Sequence, residues 1–451
     1  MTDSFHSPTT GAFSCPVASQ PLDHSLSLPG SKSLTNRELV LASLAMGPST
    51  LHTPLHARDT ELMMDALRSL GAGIDYLSGS GEFGPDLAIT PIAPPTAIED
   101  NSSEIVVNCG LAGTVMRFVP PVALLQHRPV RFVGDPQAQV RPMGPIIDAL
   151  LQLGHDVDDE GRGTLPFTVT PNQSPVTTRP RVRIDASASS QFVSGLLLAA
   201  PRFPAGLTIE HTGKALPSIP HIDMTIEVLA HRGVVVERPD HHVFDVAPQQ
   251  VQATPVVIEP DLSNAAPFMA AAVVAGGSVT ILGWPDHTTQ VGKLVPELLE
   301  YFGATVTRTA TTLTVTSPGL AAGPLPGVTL DLHEGGELAP TIISLSVFSA
   351  SPSTFSGIAH LRGHETDRIA ALVANIRDIG GIAEETPDGI IVTPSPLAGG
   401  LWRAWGDHRM ATSGALIGLG QEGISVDDIG QTSKTLPEFV SLWLGMLGNS
   451  A

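Results

Sequence analysis

The sequence predicts an α/β protein of two domains, each built from three copies of one repeated unit. Three observations carry this. The 451 residues exceed one typical core and point to about two domains of ~200 residues each. A chain that is 42% hydrophobic but only 4% aromatic, with 44 Gly and 40 Pro, suits an ordered α/β protein with tight turns. A pattern of helix, Gly-rich turn, strand and second helix then recurs six times. Its spacing of roughly 70–80 residues is longer than that of solenoid repeats.

The first unit reads SKSLTNRELVLASLAMGPSTLHTP, then DTELMMDALRSLGAGID. Its second helix has clear punctuation: Thr60 can cap a helix from Glu61, and Gly71 follows Leu70 as the left-handed stop. Leu62, Ala66, Leu67 and Leu70 share one face at helical spacing. The second unit pairs GLAGTVMRFVPPVALLQHRPVRFVG with RPMGPIIDALLQLGHDVD, and the third pairs SASSQFVSGLLLAAPRFPAGLTIEH with IPHIDMTIEVLAHRGVVVE. In the fourth, DLSNAAPFMAAAVVAGGSVTILGW precedes QVGKLVPELLEYFGATVT. The fifth joins GGELAPTIISLSVFSASPSTFSGIAHLRG to HETDRIAALVANIRDIGGIAEE, and the sixth joins GDHRMATSGALIGLGQEGISVDD to SKTLPEFVSLWLGMLG. The opening helices are apolar nearly all round, as expected of helices buried between sheets.

Charge and composition narrow the partners. A net charge of −20 argues against nucleic acid or an anionic membrane. No apolar stretch reaches the ~18–20 residues of a membrane span, and MTDSFHSPTTGAFSC has neither the basic nor the apolar region of a secretory signal. Cys15 and Cys109 make neither a disulfide framework nor a metal-ligand set, which favours a reducing cytosol. Cys109, beside Gly110, reads as a small buried residue. A cytoplasmic monomer acting on small molecules is expected.

Polar residues collect where helices begin: Ser31, Lys32 and Ser33 with Arg37; Gly113 and Thr114 with Arg117; Arg141; Ser189, Ser190 and Gln191; Ser218; Glu337; His364 and Glu365 with Arg368; Asp407, His408 and Arg409; Ser433 and Lys434. Helix N-termini attract anions, and added Lys and Arg make a site for phosphate or carboxylate. The chain's only lysines are Lys32, Lys214, Lys293 and Lys434, so two of the four stand at such starts. Each residue also has a plain structural reading, Ser and Thr as caps and Thr366 as the cap of HETDRI among them. The stretch LPGSKSLTNR is not a kinase P-loop: Ser31 precedes Lys32 and Leu26 occupies the earlier glycine position.

LPGSKSLTNR, AGTVMR, RPM, SSQF, HETDRI, DHRM and SKTLP stand in the order and spacing of the 5-enolpyruvylshikimate-3-phosphate synthase family. The chain resembles that family from about Leu28 to its C-terminus. The resemblance implies two domains of three βαβαββ units each, an inside-out α/β barrel with the active site in the interdomain cleft. The chain would cross between domains near Pro29 and Ala253, giving one domain of 1–29 and 254–451 and another of 30–253. It also implies transfer of the enolpyruvyl group of phosphoenolpyruvate to the 5-hydroxyl of shikimate 3-phosphate, with no metal or other cofactor.

By motif position, Lys32, Ser33, Arg37, Ser189, Ser190, Gln191, Ser218, Glu337 and His364 would hold shikimate 3-phosphate. Lys32, Gly113, Arg141, Gln191, Arg368, Arg409 and Lys434 would hold phosphoenolpyruvate, with Arg117, Asp407 and His408 in support. Glu337 would be the base, while Lys32, Glu365 and Lys434 would govern protonation of phosphoenolpyruvate and loss of phosphate. Glyphosate would occupy the phosphoenolpyruvate region, and Gly113 fits the sensitive type.

The chain departs from the family pattern at several positions. Glu337 stands in HEGGELAP where Asp is usual, His364 replaces a lysine, His360 an Asn, Leu111 an Asn and His221 a Tyr. The sister transferase acting on UDP-N-acetylglucosamine is the nearest rival, but GDPQAQVRPM lacks its reactive cysteine. A non-catalytic anion-binding relative is the other alternative.

Overall fold

Helices that are apolar on every side need neighbours on every side, and the fold supplies them in two units. The computed structural model describes residues 11–79, 81–93, 103–174, 176, 178–213 and 219–448. One unit is Pro29–Glu259; the other joins Met1–Leu28 to Pro260–Ala451. Each has its own continuous apolar core.

In the Pro29–Glu259 unit, α1 (Lys32–Leu44) and α2 (Arg58–Ser69), α3 (Gly113–Ala123) and α4 (Gly144–Gln152), and α5 (Gln191–Ala199) and α6 (Ile219–His231) form three pairs. Each pair belongs to one four-stranded sheet. In the clearest case Ile105–Asn108 runs parallel to Val130–Val133, which is followed across the sheet by antiparallel Phe167–Thr170 and Asp156–Asp158. This is the βαβαββ order: two parallel strands flank the first helix, and a hairpin completes the sheet after the second. The first helix of each pair is almost entirely buried, from Leu34 to Leu44 in α1 and from Phe192 to Ala199 in α5. Small residues permit close approach: a Cβ on Gly195 would lie 2.1 Å from the Arg117 carbonyl oxygen, so α5 rests directly on α3.

The other unit carries α7 (Leu262–Ala275), α8 (Val295–Glu300), α9 (Ala339–Leu345), α10 (Arg368–Asp378), α11 (His408–Gly420) and α12 (Phe439–Met446). Two of its sheets have the same four-stranded order, while Gly400–Trp402, Ile424–Val426 and Phe13–Ser14 make a three-stranded third. Among the described residues the sixth repeat therefore has no closing hairpin.

The crossings follow from strand pairing. Leu22–Leu26 pairs in parallel with Gly277–Leu282, so the chain's start supplies the fourth repeat's leading strand. Val256–Val257 pairs in parallel with Ser49–His52 and supplies the first repeat's, with Ile258 buried in the same core. Residues 254–259, expected beyond the crossing, thus belong to the Pro29–Glu259 unit.

Two helix caps differ from expectation. Helix α2 starts at Arg58, before Thr60, and the Thr60 hydroxyl instead accepts the Ala57 N–H at 3.0 Å. At α10 the cap is Asp367, which accepts the Ala370 N–H at 3.0 Å, and not Thr366. Gly71 follows Leu70 with φ 100°, the left-handed stop that glycine adopts without strain. Burial pushes both thiols upward, Cys15 to about 12, so neither is poised as a nucleophile. No helix among the described residues is long and apolar enough to cross a membrane.

Candidate active site

In the Pro29–Glu259 unit the site builds from three adjacent helix starts. Lys32, Gly113 and Gln191 are the first residues of α1, α3 and α5. Asn36 donates to Thr114 Oγ1 at 2.7 Å, and Arg117 Nη1 donates to Gln191 Oε1 at 3.4 Å. These bonds tie the opening turns of α1 to α3 and of α3 to α5, so three helix N-termini lie side by side.

Ser31 caps α1, its Oγ accepting the Leu34 N–H at 3.5 Å. The Lys32 ammonium meets Asp59 Oδ2 at 3.4 Å, from the first turn of α2. The motifs did not single out Asp59; its contact with Lys32 links different helices and leaves no local pattern. Arg37 is buried, donating to Thr225 Oγ1 at 2.8 Å and to the Ser33 and His221 carbonyls at 2.9 and 3.0 Å. Its guanidinium also sits 5.1 Å from the Phe118 ring centroid. Arg37 therefore binds α1 to α6 through Nε and Nη2, while Nη1 returns to α1's own first turn.

Two guanidinium groups converge beside Gly113. A Cβ there would lie 2.8 Å from Arg117 Nη1 and 3.2 Å from Arg141 Nη2. Arg117 Nη1 donates to the Gly113 carbonyl at 3.2 Å, and Arg141 Nη1 to that of Leu111 at 3.2 Å. Burial, and after it the charge of Arg141, push Arg117 well below the usual guanidinium range. An anion bound between them would relieve that strain. Ser189 and Ser190 directly precede α5, Ser189 Oγ accepting the Gln191 N–H at 3.4 Å. Ser218 lies outside the described residues.

In the other unit a chain of charged side chains links the starts of α7, α9, α10 and α11. Asp407 caps α11 by accepting the Arg409 N–H at 2.9 Å, and it receives Arg368 Nε at 2.7 Å and Nη2 at 3.2 Å. Burial disfavours the Arg368 charge, but Asp407, Glu365 and Glu337 overcome it and raise the group above its ordinary value. Arg409 Nη2 reaches Glu337 Oε2 at 2.9 Å, and Ser263 Oγ donates to Glu337 Oε1 at 2.7 Å. His364 Nδ1 lies 3.4 Å from Arg368 Nη1, and its ring is 5.8 Å from that of His360.

Lys434 Nζ meets Glu365 Oε1 at 2.8 Å, and His408 Nδ1 meets Glu365 Oε2 at 3.1 Å. Burial would raise Glu365, but His408, Lys434 and Arg368 hold it well below the usual carboxylate range. For His408 burial wins over the pull of Glu365 and lowers the ring's basicity. Since an ionised carboxylate only accepts, a neutral His408 must carry its proton on Nδ1. Glu365, Asp407 and His408 offer ligand atoms within 4.8 Å of one another. The donor set nevertheless does not suit a cation: Lys434 and Arg368 already neutralise the two carboxylates, and the His408 nitrogen facing Glu365 is a donor.

Comparison with known proteins gives the family. The family model for EPSP synthase (3-phosphoshikimate 1-carboxyvinyltransferase) matches residues 17–443. The chain belongs to the EPSP synthase family. As a member of that family it is 50% identical over 431 residues, 95% of each chain, to a 3-phosphoshikimate 1-carboxyvinyltransferase of Kocuria rhizophila. An EPSP synthase structure from Acinetobacter baumannii matches this EPSP synthase family fold with TM-score 0.78 at 22% identity, covering 98% of this chain and 99% of that one. The enolpyruvyl transferase NikO of Streptomyces tendae matches with TM-score 0.74 at 17% identity, covering 97% and 98%.

Proposed function

We infer that the chain is a 3-phosphoshikimate 1-carboxyvinyltransferase. It moves the enolpyruvyl group of phosphoenolpyruvate to the 5-hydroxyl of shikimate 3-phosphate and releases phosphate, a step of aromatic amino-acid biosynthesis. The observation that carries this is the 50% identity over 95% of the chain to an enzyme of that name.

The reaction needs cationic groups for two phosphates and two carboxylates, a base for the hydroxyl and an acid for the methylene carbon. From the Pro29–Glu259 unit, Lys32, Ser33, Arg37, Ser189, Ser190 and Gln191 would serve shikimate 3-phosphate, together with Ser218. Lys32, Gly113, Arg141 and Gln191 would serve phosphoenolpyruvate, with Arg117 holding Gln191 in place. From the other unit, Arg368, Arg409 and Lys434 would meet phosphoenolpyruvate, and Glu337 and His364 the shikimate ring.

Glu337 takes the proton of the 5-hydroxyl as that oxygen bonds to the central carbon of phosphoenolpyruvate, and the methylene carbon gains a proton. Losing that proton again while the carbon–oxygen bond to phosphate breaks restores the enol ether and frees phosphate. Lys434, held by Glu365, and Lys32, held by Asp59, are the acids we assign to these transfers. We further propose a cytoplasmic monomer acting on small molecules; the −20 charge disfavours nucleic acid and anionic membrane as partners.

Phosphate release from phosphoenolpyruvate should occur only with shikimate 3-phosphate present, and not with UDP-N-acetylglucosamine. Release with neither acceptor, or with the nucleotide sugar alone, would refute the reading. Glu337→Gln should lower turnover by ~10²–10⁴-fold while leaving shikimate 3-phosphate binding largely intact, as titration calorimetry can check.

A further inference from the structure

The first turn of α7 lies next to the carboxylate just assigned as base, yet nothing in the reaction has claimed its side chains. Asp261 caps this helix, accepting the N–H groups of Ser263 at 3.1 Å and Asn264 at 3.0 Å. Ser263 and Asn264 are thereby fixed at the backbone, and both are buried in an otherwise apolar helix. Asn264 is committed elsewhere: it donates to the Thr435 carbonyl at 3.1 Å and accepts from the Thr435 hydroxyl at 3.4 Å. The Ser263 hydroxyl is directed to Glu337, at 2.7 Å.

We propose that Ser263 is a positioning residue for the base, holding Glu337 Oε1 while Arg409 holds Oε2, so that the carboxylate plane is set by two helices at once. The proposal rests on the reading of Glu337 as the base. A glutamate has one more rotatable bond than an aspartate, and that freedom must be removed for the carboxylate to meet a hydroxyl at hydrogen-bond distance. Arg409, on α11, fixes one oxygen. Ser263, on α7, supplies the second point.

Among the described residues, charged groups near Glu337 include Arg409 from α11 and Arg368 from α10, and His360 lies beside the adjacent Gly336, where a Cβ would sit 2.5 Å from its Nε2. Of the hydrogen bonds to the Glu337 oxygens described above, that from Ser263 is the one made by a group with no charge of its own. Removing it therefore perturbs orientation and hydrogen bonding without removing a cation that phosphoenolpyruvate also needs.

The test compares Ser263→Ala, Ser263→Thr, Glu337→Gln and the Ser263→Ala/Glu337→Gln double variant in the full-length enzyme, with melting temperature recorded for each. Ser263→Ala should lower kcat roughly 10-fold, the scale of one hydrogen bond to a charged group, with KM for both substrates moving far less. The acid limb of the pH profile should shift to higher pH, because a bond favouring the charged form is gone. Ser263→Thr should restore both, and Ser263→Ala should cost nothing more once Glu337 is Gln. An unmoved acid limb, or the same fold-loss in the Glu337→Gln background, would overturn the positioning role while leaving the base intact. Near-normal turnover of Glu337→Gln would overturn the base assignment and this proposal together. Should Ser263→Ala not fold, Ser263→Cys, a weaker donor of similar size, replaces it in the same comparison.

Discussion

At Gly113 a hydrogen atom stands where any other residue would place a carbon against two guanidinium groups. Gly113→Ala should displace Arg117 and Arg141 by a few tenths of an ångström, since the new Cβ would sit 2.8 Å from Arg117 Nη1. Misplacement on this scale affects binding more than folding. We expect KM for phosphoenolpyruvate to rise on the order of 10-fold with little change in melting temperature; an unchanged KM would place the two guanidinium groups away from that ligand. Asp407 is the opposite kind of residue, fully buried with Arg368 bonded to both its oxygens. Asp407→Ala leaves that guanidinium unpaired and removes the cap of α11, and should cost about 3–5 kcal/mol in urea unfolding. A loss under 1 kcal/mol would show that solvent reaches Arg368 once its partner is gone.

The starts of α10 and α11 form one titrating element. His408 is less basic in the fold than its ordinary 6.5, so the unfolded chain takes up a proton first as pH falls and stability declines from about 6.5 downward. Glu365 is held below its ordinary 4.5, so its contribution is complete above that value and is lost as pH drops further. Melting temperature should therefore fall between pH 7 and 5, and His408→Gln should flatten that slope; an unaltered slope would place the titration elsewhere. These elements also show what the sequence could reveal. The apolar opening helices, the glycine stops and most of the charged helix starts are local patterns, and all six repeats were legible from them; Ser433 and Lys434, expected at a helix start, instead end the short 3-10 helix Ile429–Lys434. Caps were less so, because Thr60 and Thr366 are as good as their neighbours by residue type. Asp59 and Ser263 left no mark, since their partners lie in other helices. The strand Val256–Val257 escaped for the same reason: its pairing with Ser49–His52 spans most of a unit.

Over the whole molecule, ligands that bind only the folded state should stabilise it, by about 2.7 kcal/mol at 100 times the dissociation constant. Shikimate 3-phosphate should raise the melting temperature accordingly, and Lys32→Ala should weaken that gain; an equal gain in the variant would exclude Lys32 from the ligand. The two units differ in how the chain builds them. Pro29–Glu259 is continuous and has its own core, so it should fold when expressed alone and show a cooperative melt. Pro260–Ala451 lacks the strand Leu22–Leu26 and should not do so unless that segment is supplied; a cooperative melt of it alone would refute the dependence.

That strand also sets a schedule for synthesis. The ribosome delivers Leu22–Leu26 early, but its neighbour Gly277–Leu282 emerges only after the whole intervening unit. At translation rates of ~5–20 residues per second the strand waits roughly 10–50 s with its edge open. Its sequence, LDHSL, suits the delay: only the two leucines are destined for burial, and Asp23, His24 and Ser25 keep the waiting segment polar. Asp23→Val with Ser25→Val should accordingly lower soluble yield during expression while leaving the melting temperature of the recovered protein nearly unchanged.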